Sequence, residues 1–363
     1  MTSGTVCEKA AAVFHKSYFA MKTLLRCRAL LTRESFGGRP TASIRNENIY
    51  REKSPDGRNV KFRGWVGRNL RAGLISALLL SAVAAHAATL TVTSAADSGP
   101  GTLRQAILNA STGDTINFAV GITTITLTSG ELLINKNLTI NGPGANVLTV
   151  QRSSMVLFRI FNISPAGTTT ISGLTIAGGQ AELGGGVYCT GGTISNCVIT
   201  NTQGGGIHAV GQSQIHHSAV INNMLTGYYA YGAGINANNG SVLNCTVSGN
   251  TAYGHWYASG GGVYMTGNAG GLVRNCLLSG NNAHTDYGGT NWASGGGVYF
   301  FGGGTLESST MSGNTVNGDI SNGGGLTYGG QIRNTIIYGN TAATDPNYYL
   351  DQYAPATFDH CDS

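Results

Sequence analysis

The sequence predicts an all-β chain: a right-handed, single-stranded parallel β-helix over residues 88–363, opened by a short N-terminal capping helix. Three observations predict it. Glycine supplies 56 of 363 residues while only 10% of side chains are charged, a balance too apolar for disorder and too glycine-rich for an ordinary helical or doubly wound domain. A Gly-Gly-Gly-Val-Tyr block recurs at 184–188, 260–264 and 295–299, with close variants ending at His208, Asn236 and Thr327. Each block is followed by a second repeated stretch, such as Ser-Val-Leu-Asn-Cys-Thr-Val-Ser-Gly-Asn from Ser241, in which apolar positions return coil after coil.

Taken from the start, residues 1–59 carry scattered charges and no sustained apolar period. They read as an upstream extension, disordered or not part of the natural protein, with Val60 the true start if its codon is an alternative initiator. Residues 60–87 read as a secretory signal. Lys61, Arg63, Arg68 and Arg71 form its positive region, 72–84 is an uncharged apolar run, and Ala85-His86-Ala87 supplies the small-x-small cleavage site. That run is shorter than the roughly 20 residues a spanning helix needs. Cleavage near Ala87 is therefore expected, and with it a secreted, cell-surface or outer-membrane location. Up to Arg71 there are 15 Lys/Arg against 5 Asp/Glu; from Ala88 onward there are 6 against 11. The mature part is thus acidic and has no basic stripe for phosphates, which excludes nucleic acid as a partner.

Asp97 to Ile107 places a Gly/Pro turn before a short amphipathic helix, with Leu103, Ala106, Ile107 and Ala110 on one side. A solenoid's first coil exposes an apolar end, so 102–110 is assigned as its cap. Irregular early coils follow. The regular repeats then align on Leu174, Cys197, Ser218, Cys245, Cys276, Ser309 and Thr335. Three positions earlier stand Ile171, Ile194, Ile215, Val242, Val273, Leu306 and Ile332; two positions later stand Ile176, Ile199, Val220, Val247, Leu278, Met311 and Ile337. Strand side chains alternate with period two, so two apolar columns an odd step apart cannot both face inward along one straight strand. A bend must separate them. It falls at Asn196, Asn244, Asn275 and Asn334, with Gly173, His217 and Ser308 in the other copies, and asparagine tolerates left-handed dihedrals. Stacked coil on coil, these asparagines are expected to bond one another along the axis. The glycine blocks turn the chain and deliver Val187, Ile207, Ile235, Val263, Val298 and Leu326 to the core.

Five of the seven cysteines lie in the mature part: Cys189, Cys197, Cys245, Cys276 and Cys361. An odd number in an exported chain argues against a disulfide framework. Cys245 and Cys276 share one inward column with parallel side-chain vectors, which predicts buried free thiols.

The order of motifs, GPGTLRQAI, GDTINF, LTINGPG, ISGLTI, then repeated GGGVY with SGNT, resembles the pectin-lyase-like β-helix proteins of bacterial surfaces. It is most similar to the choice-of-anchor Q type, with a looser likeness to polymorphic outer-membrane protein repeats. The resemblance covers essentially all of 88–363. It implies a surface protein without assigned chemistry and a further C-terminal region, since Phe358-Asp359-His360-Cys361 begins another coil two residues before the last.

The inventory for catalysis is sparse. Asp286, Asp319, Asp345 and Asp351 fall in no common column, and Asp-Asp, Asn-Thr-Asp and Asp-Pro-His-Asp are all missing. His208, His216 and His217 lack a Cys or carboxylate at ligand spacing and read as solvated or turn positions. No catalytic residue, metal ligand or cofactor is assigned. One charged column, Arg274, Glu307, Arg333 and Asp359, reads as an outward ladder of alternating sign, the alternative being a catalytic cluster. The richest feature is a set of lengthened loops at 224–231, 251–259 and 282–294, all at the same point of the repeat. They bring together Tyr228, Tyr229, Tyr231, Tyr253, Trp256, Tyr257, Tyr287 and Trp292, the ring-plus-polar-tip residues that a sugar chain or protein partner uses. The sequence therefore points to a protein presenting aromatic loops for binding or adhesion, to a polysaccharide or to a surface glycan or protein, with membrane association only through export or a C-terminal anchor. The alternative is a polysaccharide lyase or glycoside hydrolase of the same fold.

Overall fold

The computed structural model describes residues 52–53, 59–60, 87–164, 169–267, 271–286, 288–327, 329–350 and 356–363. Glu52–Lys53 and Asn59–Val60 pair antiparallel. The other residues up to 86, which the sequence reads as an upstream extension and a secretory signal, lie outside the described residues.

From Thr89 the chain winds into three parallel sheets, each strand pairing with its counterpart one coil away. The first sheet has eleven strands, from Thr89–Val92 to Thr357–Asp359; the second has nine, from Thr124–Leu127 to Ile336–Tyr338; the third has nine, from Leu132–Ile134 to Tyr348–Tyr349. The fold is the predicted right-handed parallel β-helix, its crossovers taking the hand that strand twist favours.

The predicted columns are the core. Ile171, Ile194, Ile215, Val242, Val273, Leu306 and Ile332 pair in register along the first sheet, and Ile176 through Ile337 do so along the second. All are buried, as is the glycine-block column Val187 to Leu326. Between the first and second sheets every predicted bend residue is left-handed: φ is 51° at Asn196 and His217, 54° at Asn244, 53° at Asn275, 50° at Ser308 and 48° at Asn334. Gly173, at 66°, fills the same place without a Cβ.

The asparagine ladder needs correcting. At the bends, Asn275 donates to Asn244 at 3.1 Å and Asn244 meets His217 at 3.3 Å, but the row is broken by Ser308 and is exposed. The continuous ladder lies one corner later, at Asn223, Asn250, Asn281, Asn314 and Asn340, all buried. Each Nδ2 donates to the next Oδ1, at 3.0 Å for Asn223 to Asn250 and 2.9 Å for Asn250 to Asn281, Asn281 to Asn314 and Asn314 to Asn340. Each Oδ1 also accepts the backbone N–H of the residue one coil before, Thr202 for Asn223 and the preceding asparagine for the others, and each Nδ2 also reaches a main-chain carbonyl of the coil before. The amides thereby satisfy backbone groups at a corner where the sheet ladders stop.

This ladder also explains a glycine. A Cβ on Gly262 would lie 2.6 Å from the Gly297 carbonyl oxygen and 3.0 Å from the Asn281 amide. The third glycine of the block is required by close packing and the first by its dihedral, as at Gly260 with φ of 63°.

The cap is a helix, Leu103–Asn109, with Leu103, Ala106 and Ile107 buried. Thr102 caps it, its side chain accepting from the Gln105 N–H, and Ala110 ends it. Asp97 ties the cap to the second coil: it takes Arg104 at 2.7 Å and the N–H groups of Thr128 and Ser129. Partial burial opposes the charge, yet the bonds from Ser129, Arg104 and Thr128 hold the carboxyl well below the usual carboxylate range.

All five described cysteines are free thiols. Burial pushes Cys197 up to about 11, and at Cys276 the contact with Cys245, together with burial, pushes the thiol up. We expect Cys245 and Cys276 to resist a thiol reagent in the native protein and to be fully alkylated, unbridged, after denaturation. A Cys245–Cys276 bridge in mass spectra of native protein would refute the parallel-vector argument.

Candidate functional site

The three lengthened segments are strands, which corrects their reading as loops. Met224–Tyr231, Thr251–Ser259, Asn282–Thr285 and Trp292–Ser294 join Thr315–Asn317 and Ile320–Asn322 in a fourth, six-stranded parallel sheet. It begins as single bridges, Gln180 with Gln203 and Gln203 with Met224. Its residues form an arch with an outgoing and a returning limb, closed on a small core of its own: Leu225, Ala230, Ala233, Ala252, Ala258, Ala283, Ala293 and Val316. Six of these eight residues are alanines, whose small side chains let the two limbs pack closely. The hydrogen bonds that turn these segments into strands come from neighbouring coils, so a search for local strand length and turn residues does not find them.

The arch sorts the eight predicted aromatic residues into different places. On the returning limb Tyr229, Tyr257 and Trp292 pair in register, all facing solvent, with Tyr229 and Tyr257 rings stacked at 5.8 Å. Tyr231 adjoins them at 6.2 Å from Tyr229 and stacks on Tyr264 at 4.9 Å; Tyr264 stacks on Tyr299 at 5.2 Å. Tyr264 and Tyr299 stand on the outer side of the third sheet, Tyr264 half-buried and Tyr299 buried, so the stack runs from the solvent-facing limb into a covered corner. The glycine blocks displayed these two tyrosines in the sequence, but their alternation with core residues only marks them as outward-facing. Burial, then the neighbouring Tyr229 and Tyr257, pushes the Tyr231 phenol up.

Tyr228 and Trp256 stand at the tip of the arch and are exposed. Tyr253 lies on the outgoing limb, where its hydroxyl donates to Asp286, whose other oxygen meets His255 Nδ1 at 2.6 Å. Those bonds hold the Asp286 carboxyl below its ordinary range. Tyr253 is thus held by polar partners and is not part of the stacked surface. Tyr287 falls outside the described residues.

A second cluster escaped the sequence reading. Along the outer face of the third sheet, Asn162, Tyr188 and His208 stand in register on successive coils. Tyr188 stacks on His208 at 5.3 Å, and the Arg159 guanidinium lies over the Tyr188 ring, 4.9 Å from its centre. Arg159 pairs with Glu131 at 3.1 Å, and Glu131 accepts from Asn162 at 2.7 Å. Burial, then Arg159, pulls the His208 imidazole down, and its Nδ1 is buried without a hydrogen-bond partner. His208 is therefore a packed ring, which corrects its reading as a solvated position. A cavity of about 690 Å³ opens beside the cluster, lined by Glu131, Arg159, Gln180, Glu182, Gln203 and Thr226 among others. Glu131, Arg159 and Asn162 sit in the irregular early coils, where no repeat aligned them.

The charged column behaves as an outward ladder. Arg274, Glu307, Arg333 and Asp359 pair in register on the first sheet, and Arg274 lies 4.0 Å from Glu307 with both side chains solvated. No cavity adjoins them among those described.

A scan against protein-family models finds no match, and a search of curated proteins finds none. Among solved structures the chain is similar to the A-module of the Azotobacter vinelandii mannuronan C-5 epimerase AlgE6, at 16% identity and a TM-score of 0.35, over 74% of this chain and 97% of that one. It is similar also to the A-module of the epimerase AlgE4 of the same organism, at 12% identity and a TM-score of 0.36, over 68% and 86%. The fold class rests on the strand pairings described above.

Proposed function

We propose that this protein is an exported or cell-surface β-helix that binds a carbohydrate chain, free or displayed on a surface partner, along the solvent-facing returning limb. One observation carries the reading: Tyr229, Tyr257 and Trp292 present rings in register, continuous through Tyr231 with the stack of Tyr264 and Tyr299. Coils repeat about every 4.8 Å, so the rings form a row along the axis, suited to a linear polymer. Rings already stacked lose little freedom when a sugar lies on them. Export with cleavage near Ala87 belongs to the same reading.

The test is affinity electrophoresis of purified 88–363 through gels holding neutral or acidic polysaccharides. Tyr257→Ala with Trp292→Ala is expected to cut retention at least about tenfold, the scale on which interface aromatics count. Thermal unfolding should not move, since both side chains face solvent. Unchanged retention across every polymer that holds the wild type would overturn the reading. Trp256→Ala, at the arch tip, should have a smaller effect.

A lyase or hydrolase is the second reading, favoured by the Glu131, Arg159, Tyr188 and His208 cluster beside its cavity. Release of unsaturated or reducing ends that Arg159→Ala abolishes would put this reading in place of simple binding.

A further inference from the structure

The left-handed bends do something that an extended strand cannot. Consecutive side chains of a strand point to opposite faces, but a left-handed residue breaks the alternation and lets neighbours converge on the same exterior. Three such bends do so. Asn239, at φ of 53°, donates to Asn238 at 3.0 Å; His360, at 52°, brings Nδ1 2.5 Å from Asp359 Oδ1; His217, at 51°, brings Nδ1 3.0 Å from Nδ1 of His216. His216 ends the strand Ser213–His216 and is half-buried, while His217 is exposed. Their rings stand nearly perpendicular, at 88°.

We propose that His216 and His217 form an open, chelating site for a divalent transition-metal ion of tetragonal preference, Cu²⁺ before Ni²⁺, with water in the remaining positions. The spacing is that of a hydrogen bond, and a small turn of the rings would let both nitrogens meet one ion. With each nitrogen about 2.0–2.1 Å from a metal, a separation of 3.0 Å subtends roughly 95°. That is the angle between adjacent ligands of a square plane, whereas a tetrahedral Zn²⁺ would hold the nitrogens roughly 3.4 Å apart. Imidazole in tetragonal sites suits Cu²⁺ and Ni²⁺, and Cu²⁺ heads the affinity order.

The protonation pattern also fits. The Asn244 amide nitrogen lies 3.3 Å from His217 Nε2. In neutral His217 the nitrogen that accepts carries the lone pair, so the proton sits on Nδ1, shared with His216. An incoming ion takes up the Nδ1 lone pairs, and the displaced proton passes through solvent to Nε2; the Asn244 and Asn275 amides, now bonded to each other, turn over together so that the Asn244 oxygen faces Nε2 and its NH2 meets the Asn275 oxygen. Among the described residues no third His, Cys, Asp or Glu stands with this pair, so the proposed site has two protein ligands.

The experiment titrates the full chain with CuCl₂ against a glycine competitor, followed by calorimetry and electron paramagnetic resonance. One tight equivalent with two imidazole nitrogens in its spectrum is expected. His217→Asn places at the bend the residue that Asn196, Asn244, Asn275 and Asn334 already supply there, and His216→Ser copies Ser195, its partner in register. Both variants should therefore fold, which circular dichroism checks, and each should lose affinity at least about tenfold. Zn²⁺ should bind the wild type more weakly by a similar factor. Wild-type affinity in both variants, a spectrum with one nitrogen, or preference for Zn²⁺ would overturn the proposal.

Discussion

Ile199→Asp is expected to leave the chain from residue 88 onward unfolded. Ile199 is fully buried and pairs in register with Ile176 on one side and Val220 on the other. A carboxylate there would lie within the hydrophobic core. The loss of apolar burial and the cost of an unpaired buried charge together exceed the roughly 5–15 kcal/mol by which domains are stable. Far-UV circular dichroism and a urea titration read the outcome: no cooperative transition for Ile199→Asp, and a midpoint close to wild type for Thr200→Asp, whose side chain points outward. A cooperative, soluble Ile199→Asp protein would overturn the column assignment.

Asn281→Leu should be nearly as damaging, though the side chain is similar in size and more apolar. Asn281 Oδ1 accepts the Asn250 N–H at 3.1 Å and the Asn250 amide at 2.9 Å, and its own amide reaches the Val247 carbonyl and Asn314. Leucine leaves the two Asn250 donors without their acceptor in a buried corner. At about 1–3 kcal/mol for each unsatisfied group, the variant should lose about 2–6 kcal/mol, measured as the shift in the urea midpoint at constant m-value. Asn244→Leu, on the exposed bend row, supplies the contrast, since there only the left-handed dihedral is disfavoured. Equal stability of Asn281→Leu and wild type would mean that the corner is hydrated.

Much of the fold was legible because it is written in short range. An odd step between two apolar columns demands a bend, and the bends at Asn196 through Asn334 have the dihedrals that argument requires. The cap helix could be read from a Gly/Pro turn and one apolar side, and its N-cap threonine is seen only in the structure. What escaped depends on contacts between coils. The buried asparagine ladder shares its residue type with the exposed bend row, and composition cannot tell which row meets solvent. The arch was taken for loops because its strands bond only across coils and its alanines make a weak apolar signal. For the site, the aromatic residues were found but not their partition between limb, tip and outgoing strand. Arg159, Glu131 and His208 come together from coils of unequal length, where no alignment of repeats could place them.

The direction of the hydrogen bonds has a mechanical consequence. Nearly all the parallel-sheet bonds, and the Asn223 to Asn340 chain with them, run along the coil axis. Tension between the two ends of the solenoid therefore loads them one coil at a time, peeling the molecule like a zip, while force across the axis must shear many coils together. A coil such as that from Gly234 to Gly262 adds 28 residues, or about 90–100 Å of extended chain at 3.3–3.6 Å per residue. Pulled along its length, the β-helix is expected to yield coil by coil, in steps set by the number of residues in each coil. It is a shock absorber in one direction and a stiff rod in the other.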